Sequence, residues 1–357
     1  MEEAGVSPTD AADECRPSGE AMSRTAASST DSECQAVAYY EDRYAHGYMD
    51  EWPLEKKRRL FELIRGLDLP ATGEAIDYGC GNGVLTEVIR QALPAWDVWG
   101  VDISPTAVLN ATSRFPACRF YLPNAPELRD RQFDLLFTHH VLEHVNDLPR
   151  EIARANQMLK PSASMLHILP CGNAGSLEHT VCLLRRDGIA ADQEGRFFFE
   201  DPGHLRRLTS AQLTDLCARH GFVLQRAFYA NQYYGAIRWL TRSLRFTLQF
   251  AAPTAAVDGV AERKLRTLRR RLATIACWRA PAFHFERALQ QRRRALKHYL
   301  LLAATLPLYP IAKPLEVFLR RKAEEEWLER QRDPAGSEMY LFCCRDAESG
   351  SATISSN

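Results

Sequence analysis

The chain has 357 residues, 46% of them hydrophobic, which is enough to bury one large core and a smaller appendage. Lys plus Arg and Asp plus Glu both number 45, and this balance excludes a protein that coats nucleic acid over its whole surface. The ten cysteines contain no C-x-x-C pair and several fall in apolar patterns, as reduced structural thiols do.

Residues 1–36 are rich in Ser, Ala, Thr, Asp and Glu, with almost no large apolar side chain, and read as a disordered tail. The first ten residues show neither a basic region nor an apolar run, so no secretory signal is visible and the cytosol is the expected compartment. From Ala36 the composition turns aromatic. Tyr39, Tyr40, Tyr44, Tyr48 and Trp52 crowd the approach to a helix expected over 54–67.

The stretch from Glu74 to Asp102 then reads as strand, glycine turn, helix, strand and acid. Ala75 and Ile76 end a buried strand at Asp77, and Gly79, Gly81 and Gly83 form a turn whose missing side chains let a ligand approach the backbone. Val84 to Leu93 reads as a helix whose unpaired N-terminal amides face that ligand and favour an anionic group. Asp102 closes the second strand 19 residues past Gly83, where such units place an acid on ribose hydroxyls. Dinucleotides and S-adenosylmethionine both fit this unit. Asp77 would repel a pyrophosphate but suits the ammonium of a methionine moiety, and Val84 stands where the G-x-G-x-x-G fingerprint wants its third glycine.

Asp77-Tyr78-Gly79-Cys80-Gly81-Asn82-Gly83, followed by Gly100-Val101-Asp102-Ile103-Ser104, resembles the class I S-adenosylmethionine-dependent methyltransferases. The branch it is most similar to is that of the small-molecule enzymes of ubiquinone and menaquinone pathways. The resemblance covers residues 37–235 and the last strand. It implies that Asp77, Gly79, Cys80, Gly81, Gly83, Asp102, Ile103, Asn124 and His139 bind S-adenosylmethionine. Asn124 takes the place of the acid that often bonds the adenine amino group after the third strand. The family's aromatic N-terminal segment often folds over the cofactor, although packing on the sheet accounts for these tyrosines equally well.

The alternation continues past Asp102. Ser104-Pro105 signals a helix start, Cys118 to Leu122 a third strand, Phe133 to Thr138 a fourth, Asp147 to Leu159 a helix, and Ser164 to Leu169 a fifth strand. A long connection leads to a helix from about Ser210, a sixth strand over 222–229 and a seventh over 338–344. The expected fold class is α/β, a doubly wound, mostly parallel seven-stranded sheet with a helical basic insertion before the last strand. The domain boundaries follow: a core over 37–235, the insertion over 236–334, the last strand over 335–346 and a disordered tail over 347–357.

The carboxyl end of the fourth strand, Thr138-His139-His140-Val141-Leu142-Glu143-His144-Val145, is where doubly wound sheets place ligands. His140, Glu143 and His144 share one face if the turn is helical, and an oxygen acceptor needs a base of this kind to take its proton. His204, in the connection after the fifth strand, is the fourth candidate for the transfer site. Ubiquinone-pathway O-methyltransferases and small-RNA 3′-end methyltransferases carry a metal-binding Glu-x-x-Glu-His at this place. Here His140 replaces the first glutamate, so a divalent metal is possible but not favoured, and no residue is assigned to one. His167 reads as a satisfied strand histidine.

Between Ala236 and Arg332 the sequence carries 21 Lys and Arg against 8 Asp and Glu. Inside it, Tyr299 to Ala312 has no charge, is 14 residues long and contains Pro307 and Pro310, so it is too short and broken to span a bilayer. Three readings follow: a lid whose apolar stretch packs on the core, contact with an anionic membrane, and RNA binding. The partners expected are a small-molecule or lipid-linked acceptor and a membrane surface, with nucleic acid disfavoured and the oligomeric state open. The whole reads as a cytoplasmic methyltransferase, peripheral to the inner face of a membrane, for O-methylation of a small, lipid-like or lipid-linked glycan acceptor. The alternatives are a non-catalytic S-adenosylmethionine-binding or membrane adaptor, an RNA methyltransferase and an NAD-dependent dehydrogenase.

Overall fold

The computed structural model describes residues 36–190, 192, 194–290 and 296–345. The tails expected to be disordered lie outside the described residues, apart from Ala36.

Seven strands form one sheet: β1 Gly73–Tyr78, β2 Trp96–Val101, β3 Arg119–Tyr121, β4 Phe133–His139, β5 Leu159–Pro170, β6 Phe222–Ala230 and β7 Glu338–Arg345. Their order is β3-β2-β1-β4-β5-β7-β6. The first five are parallel, and β7 runs antiparallel to both β5 and β6. Central parallel strands are covered on both faces, which is why Ala75-Ile76 and Leu135-Leu136-Phe137 are continuous apolar runs. Successive side chains feed opposite layers. Ile76 and Leu136 pack with Leu148, Ile152 and Leu213, whereas Ala75, Leu135 and Phe137 pack with Leu60, Ile64, Val88 and Trp327.

The helices of the core are α1 (residues 36–45), α2 Leu54–Arg65, α3 Val84–Ala92, α4 Pro105–Arg114, α5 Leu148–Gln157, α6 Leu177–Leu183 and α7 Ser210–Ala218. Their starts follow side-chain chemistry. Ser104 accepts from the Ala107 amide, Asp147 from Arg150, and Thr209 forms a reciprocal capping box with Gln212. The fifth strand begins earlier than its sequence suggests, because Leu159 already pairs with Phe133 ahead of a register shift that precedes Ser164.

The insertion is helical: α8 Tyr234–Leu240, α9 Leu244–Phe250, α10 Gly259–Gln290, α11 Leu296–Thr305 and α12 Tyr309–Arg330. Ala236, Ile237, Leu240, Phe250, Leu265, Leu272 and Leu319 give it a small core of its own, joined to Val181 of α6. A buried Arg279 locks this core by bonding Glu316 at 2.8 Å and Thr241 at 2.7 Å. Within Tyr299 to Ala312, Ala312 is buried and the α11 part is not. α11 has no buried residue, because it contacts the long α10 and lies beyond the elements that could cover its other faces.

The connection from β5 to α7 is held by a buried cation. Arg207 donates to Glu178 at 2.8 Å, to Glu200 at 2.6 Å and to the carbonyls of Cys171 and Ser337. Removing it strands two carboxylates away from water, so Arg207→Leu is expected to cost about 3–5 kcal/mol in urea unfolding.

Candidate active site

The glycine turn between β1 and α3 has the geometry that its composition demands. Gly79, Gly81 and Gly83 all have positive φ, and a Cβ at Gly81 would lie 2.7 Å from the Tyr44 hydroxyl. Asp102, at the end of β2, is buried and accepts from the Gly81 amide at 2.8 Å and the Ser104 amide at 3.0 Å. Burial raises its pKa, with the Ser104 and Gly81 amides offsetting part of the rise. Asp77 lies fully inside the sheet and accepts from Thr86 Oγ1 at 2.6 Å. Burial lifts its carboxyl to about 7, against the pull of the Thr86 hydroxyl.

Two residues assigned to the cofactor from sequence do not join this group. The Cys80 thiol packs with Ala111, Cys118 and Phe120, so its side chain serves packing rather than the ligand. Asn124 is exposed and its amide oxygen accepts from Arg154 at 3.4 Å. Ile103, half exposed beside Asp102, remains open to a ligand.

Helix α1 lies across the turn. Glu41 accepts from the Ser104 hydroxyl at 2.5 Å and from Thr106 at the start of α4. Arg43 and Tyr39 both bond Asp201 of the β5 to α7 connection. Just past α1, the Asn82 amide donates to Tyr48 O at 3.1 Å and Asp50 at 3.0 Å. The crowded tyrosines therefore cover the glycine turn, and Tyr44 is buried in doing so.

Beyond β4 the chain turns without becoming helical, and His140 takes a left-handed φ of 54°. That turn aims its ring between two carboxylates, with Nδ1 2.9 Å from Glu143 and Nε2 3.2 Å from Glu338 of β7. Burial opposes a charge on His140, but the bonds to Glu143 and Glu338 outweigh it and raise the pKa. Both ring nitrogens are thus engaged by carboxylates, which favours the charged ring and leaves His140 less suited than a neutral neighbour to take a proton. Glu338 also accepts from Lys56 at 2.6 Å, and Lys56 and His140 overcome burial to hold its carboxyl well below the usual range. Neither Glu338 nor Lys56 carries a local sequence signal. Trp52 stacks on His140 and meets His139 edge-on at 4.7 Å between ring centres.

His139, His144 and His204 lie around His140, Glu143 and Glu338. Burial pushes His139 well below its ordinary value. His144 is also pushed down by burial, despite the charge of Glu143, and its Nδ1 donates to Gly203 O at 2.9 Å. That bond leaves Nε2 with the lone pair. The Leu205 amide donates to Glu143 O at 2.8 Å and so brings His204 beside His144, with ring centres 4.6 Å apart. Tyr40 Oη, His139 Nε2, Glu143 Oε2 and His204 Nδ1 are buried and hydrogen-bond to no protein group. One ligand atom from each of Glu143, His144 and His204 lies within 4.8 Å of the others, as does one from each of His139, His140 and Glu338. Lys56 already occupies the second group, whereas the first keeps an unbonded oxygen on Glu143, with His204 Nδ1 3.9 Å from Glu200. His167 is bonded to Thr138 at 2.8 Å and lies in the strand interior, as its alternation suggests.

A methyltransferase-domain family profile matches residues 38–227, more than half of the chain. The chain belongs to the methyltransferase-domain family. Its curated relatives include a trans-aconitate 2-methyltransferase of Variovorax paradoxus, 31% identical over 120 residues, covering 32% of this chain and 46% of that protein. A second of the same name, from Methylobacterium radiotolerans, is 32% identical over 117 residues, covering 32% and 45%. The chain thus spans just under half the length of these relatives. Among solved structures, magnesium protoporphyrin IX methyltransferase from Synechocystis with bound SAH aligns at 17% identity and a TM-score of 0.41, covering 56% of this chain and 95% of that one.

The methyl donor that the sequence leads one to expect is S-adenosylmethionine. The two buried acids fit such a donor, since Asp77 lacks a cation that an ammonium would supply and each oxygen of Asp102 keeps a lone pair for a ribose hydroxyl. Between the ordinary carboxylate value near 4 and about 7, the unfolded chain sheds a proton that folded Asp77 keeps, so the ligand-free protein loses stability as pH rises through that window. Asp77→Asn is therefore expected to raise the melting temperature of the ligand-free protein at pH 8 while weakening S-adenosylmethionine about tenfold or more by calorimetry.

Proposed function

We propose that this enzyme methylates an oxygen of a small, lipid-like or lipid-linked glycan acceptor, with His144 taking the acceptor's proton. The observation that carries the reading is a set of buried polar atoms that hydrogen-bond to no protein group: Tyr40 Oη, His139 Nε2 and Glu143 Oε2, together with His204 Nδ1, which lies 3.9 Å from Glu200. An unpaired buried polar group costs about 1–3 kcal/mol, so a cluster of them beside a donor site is suited to a polar ligand that completes their bonding. His144 is the group best prepared as base, because Gly203 fixes its tautomer and burial keeps it neutral. His140 serves instead as a fixed cation that holds Glu143 in place. The small acceptor is supported by the names of the curated relatives, and the lipid-like class by the uncovered apolar surface of α11.

Methyl transfer is an in-line displacement, so most of the protein's work is alignment. His144→Gln is expected to lower kcat/KM about 100-fold or more for an oxygen acceptor in a radiolabelled methyl assay, with S-adenosylmethionine binding unchanged. A loss of donor affinity instead would place His144 in the cofactor site.

The clustering of Glu143, His144 and His204 favours a second reading, in which these three residues hold a divalent transition ion. Such an ion would lower the pKa of the acceptor's hydroxyl. Dialysis against a chelator separates the two. Turnover that is lost and then restored by manganese or zinc supports the ion; unchanged turnover leaves His144 as the base.

A further inference from the structure

The apolar side chains left uncovered follow one another along the chain. Tyr299 and Leu300 on α11, Leu306 and Leu308 in the 3-10 turn that follows, and Ile311 and Phe318 on α12 are all exposed, Leu300 and Ile311 at 62% each. Exposed apolar side chains gathered in one segment mark interaction or membrane sites. The sequence of this segment is basic. From Arg287 to Lys322 there are nine Lys and Arg and one acid, Glu316, which is buried against Arg279; Lys313 and Arg320 pair with Glu286 and Arg321 and Lys322 with Glu325, and Lys297 lies on α11 itself. Two occupants of an apolar surface are then distinguishable by charge. A second copy of this chain would bring two strongly basic segments together, whereas an anionic surface would neutralise them.

We infer that α11 and the first turns of α12 dock on an anionic lipid bilayer, inserting their apolar side chains among the acyl chains with Lys297 and its basic neighbours at the headgroups. The segment lies in the surface and does not cross it. Leu296–Arg330 is long and apolar enough by composition to cross a membrane. However, its charge-free part is 14 residues, about 21 Å of helix against a hydrocarbon core of about 30 Å. The far half of α12 is also committed elsewhere: Ala323 and Trp327 are buried, and Glu326 bonds the amides of Tyr233 and Tyr234. A short apolar stretch within a basic sequence is the pattern of an interfacial anchor, where apolar burial and attraction to anionic lipid act together. The inference concerns where the enzyme works and does not depend on the acceptor's chemistry.

The test is co-flotation of the full chain with vesicles of phosphatidylcholine alone or with a third phosphatidylglycerol, at low and high salt. The wild type is expected to float with the anionic vesicles and to lose most of that binding at high salt. Leu300→Asp combined with Ile311→Asp should reduce flotation about tenfold or more, since it puts two carboxylates where acyl chains would be. Lys297→Glu should remove part of the preference for phosphatidylglycerol and leave apolar contact. S-adenosylmethionine binding by each variant, measured by calorimetry, verifies that it folds. Absence of flotation in the wild type, or equal flotation of the folded double variant, overturns the inference. A wild-type dimer that ignores vesicles and is split by the double variant also overturns it, and assigns the surface to a second copy.

Discussion

The site depends on one carboxylate. Glu338 accepts from Lys56 of α2, from His140 after β4 and from the Tyr340 hydroxyl two residues on, so three distant pieces of chain meet on a single side chain. A lone buried acid would be costly, and burial alone would push its proton back on. The two cations reverse that balance. In doing so they fix the ring of His140, which in turn fixes Glu143, and the turn that carries His144 is held from both ends. Removing either Lys56 or His140 would leave a buried charge underpaired, which couples the packing of α2 to the geometry of the transfer site.

The legible parts of this arrangement are the local ones. Gly79, Gly81, Gly83 and Asp102 lie in one βαβ unit, where spacing in sequence fixes spacing in space. The mostly parallel, doubly wound character of the sheet followed from the same alternation of strand and helix. The transfer site was legible only in part. His140 and Glu143 do face each other, but through a left-handed residue that no glycine announces, and the ring's two acidic partners settle its charge. Glu338 lies 282 residues from Lys56, and neither residue type is unusual where it stands. Cys80 shows the converse, since its position inside the turn says nothing of which way the thiol points.

The insertion divides in the same way. Its excess of basic residues is visible in composition, and structure shows where the compensation lies: Arg279 on Glu316, Lys313 and Arg320 on Glu286. What composition could not show is which apolar residues would be covered. Leu265, Leu272 and Leu319 found a shared interior, whereas the equally apolar Leu300 and Ile311 did not. Burial is decided by what an element meets, and α11 meets little beyond α10.

The two ends of the insertion lie side by side. Ala230, which ends β6, pairs with Glu338, which begins β7, and the Ser337 amide closes onto Ala230 O. In folding terms this is a hairpin whose loop has become a small helical body. Closing a loop of about a hundred residues costs little more entropy than closing a short one, because the cost grows only with the logarithm of length. The delay is of another kind. β7 enters between β5 and β6, and it carries Glu338, so the sheet stays unfilled and the transfer site unassembled until the helical body has brought its ends together. Synthesis of the chain imposes the same order, with the glycine turn made well before Glu338, the carboxylate that holds His140.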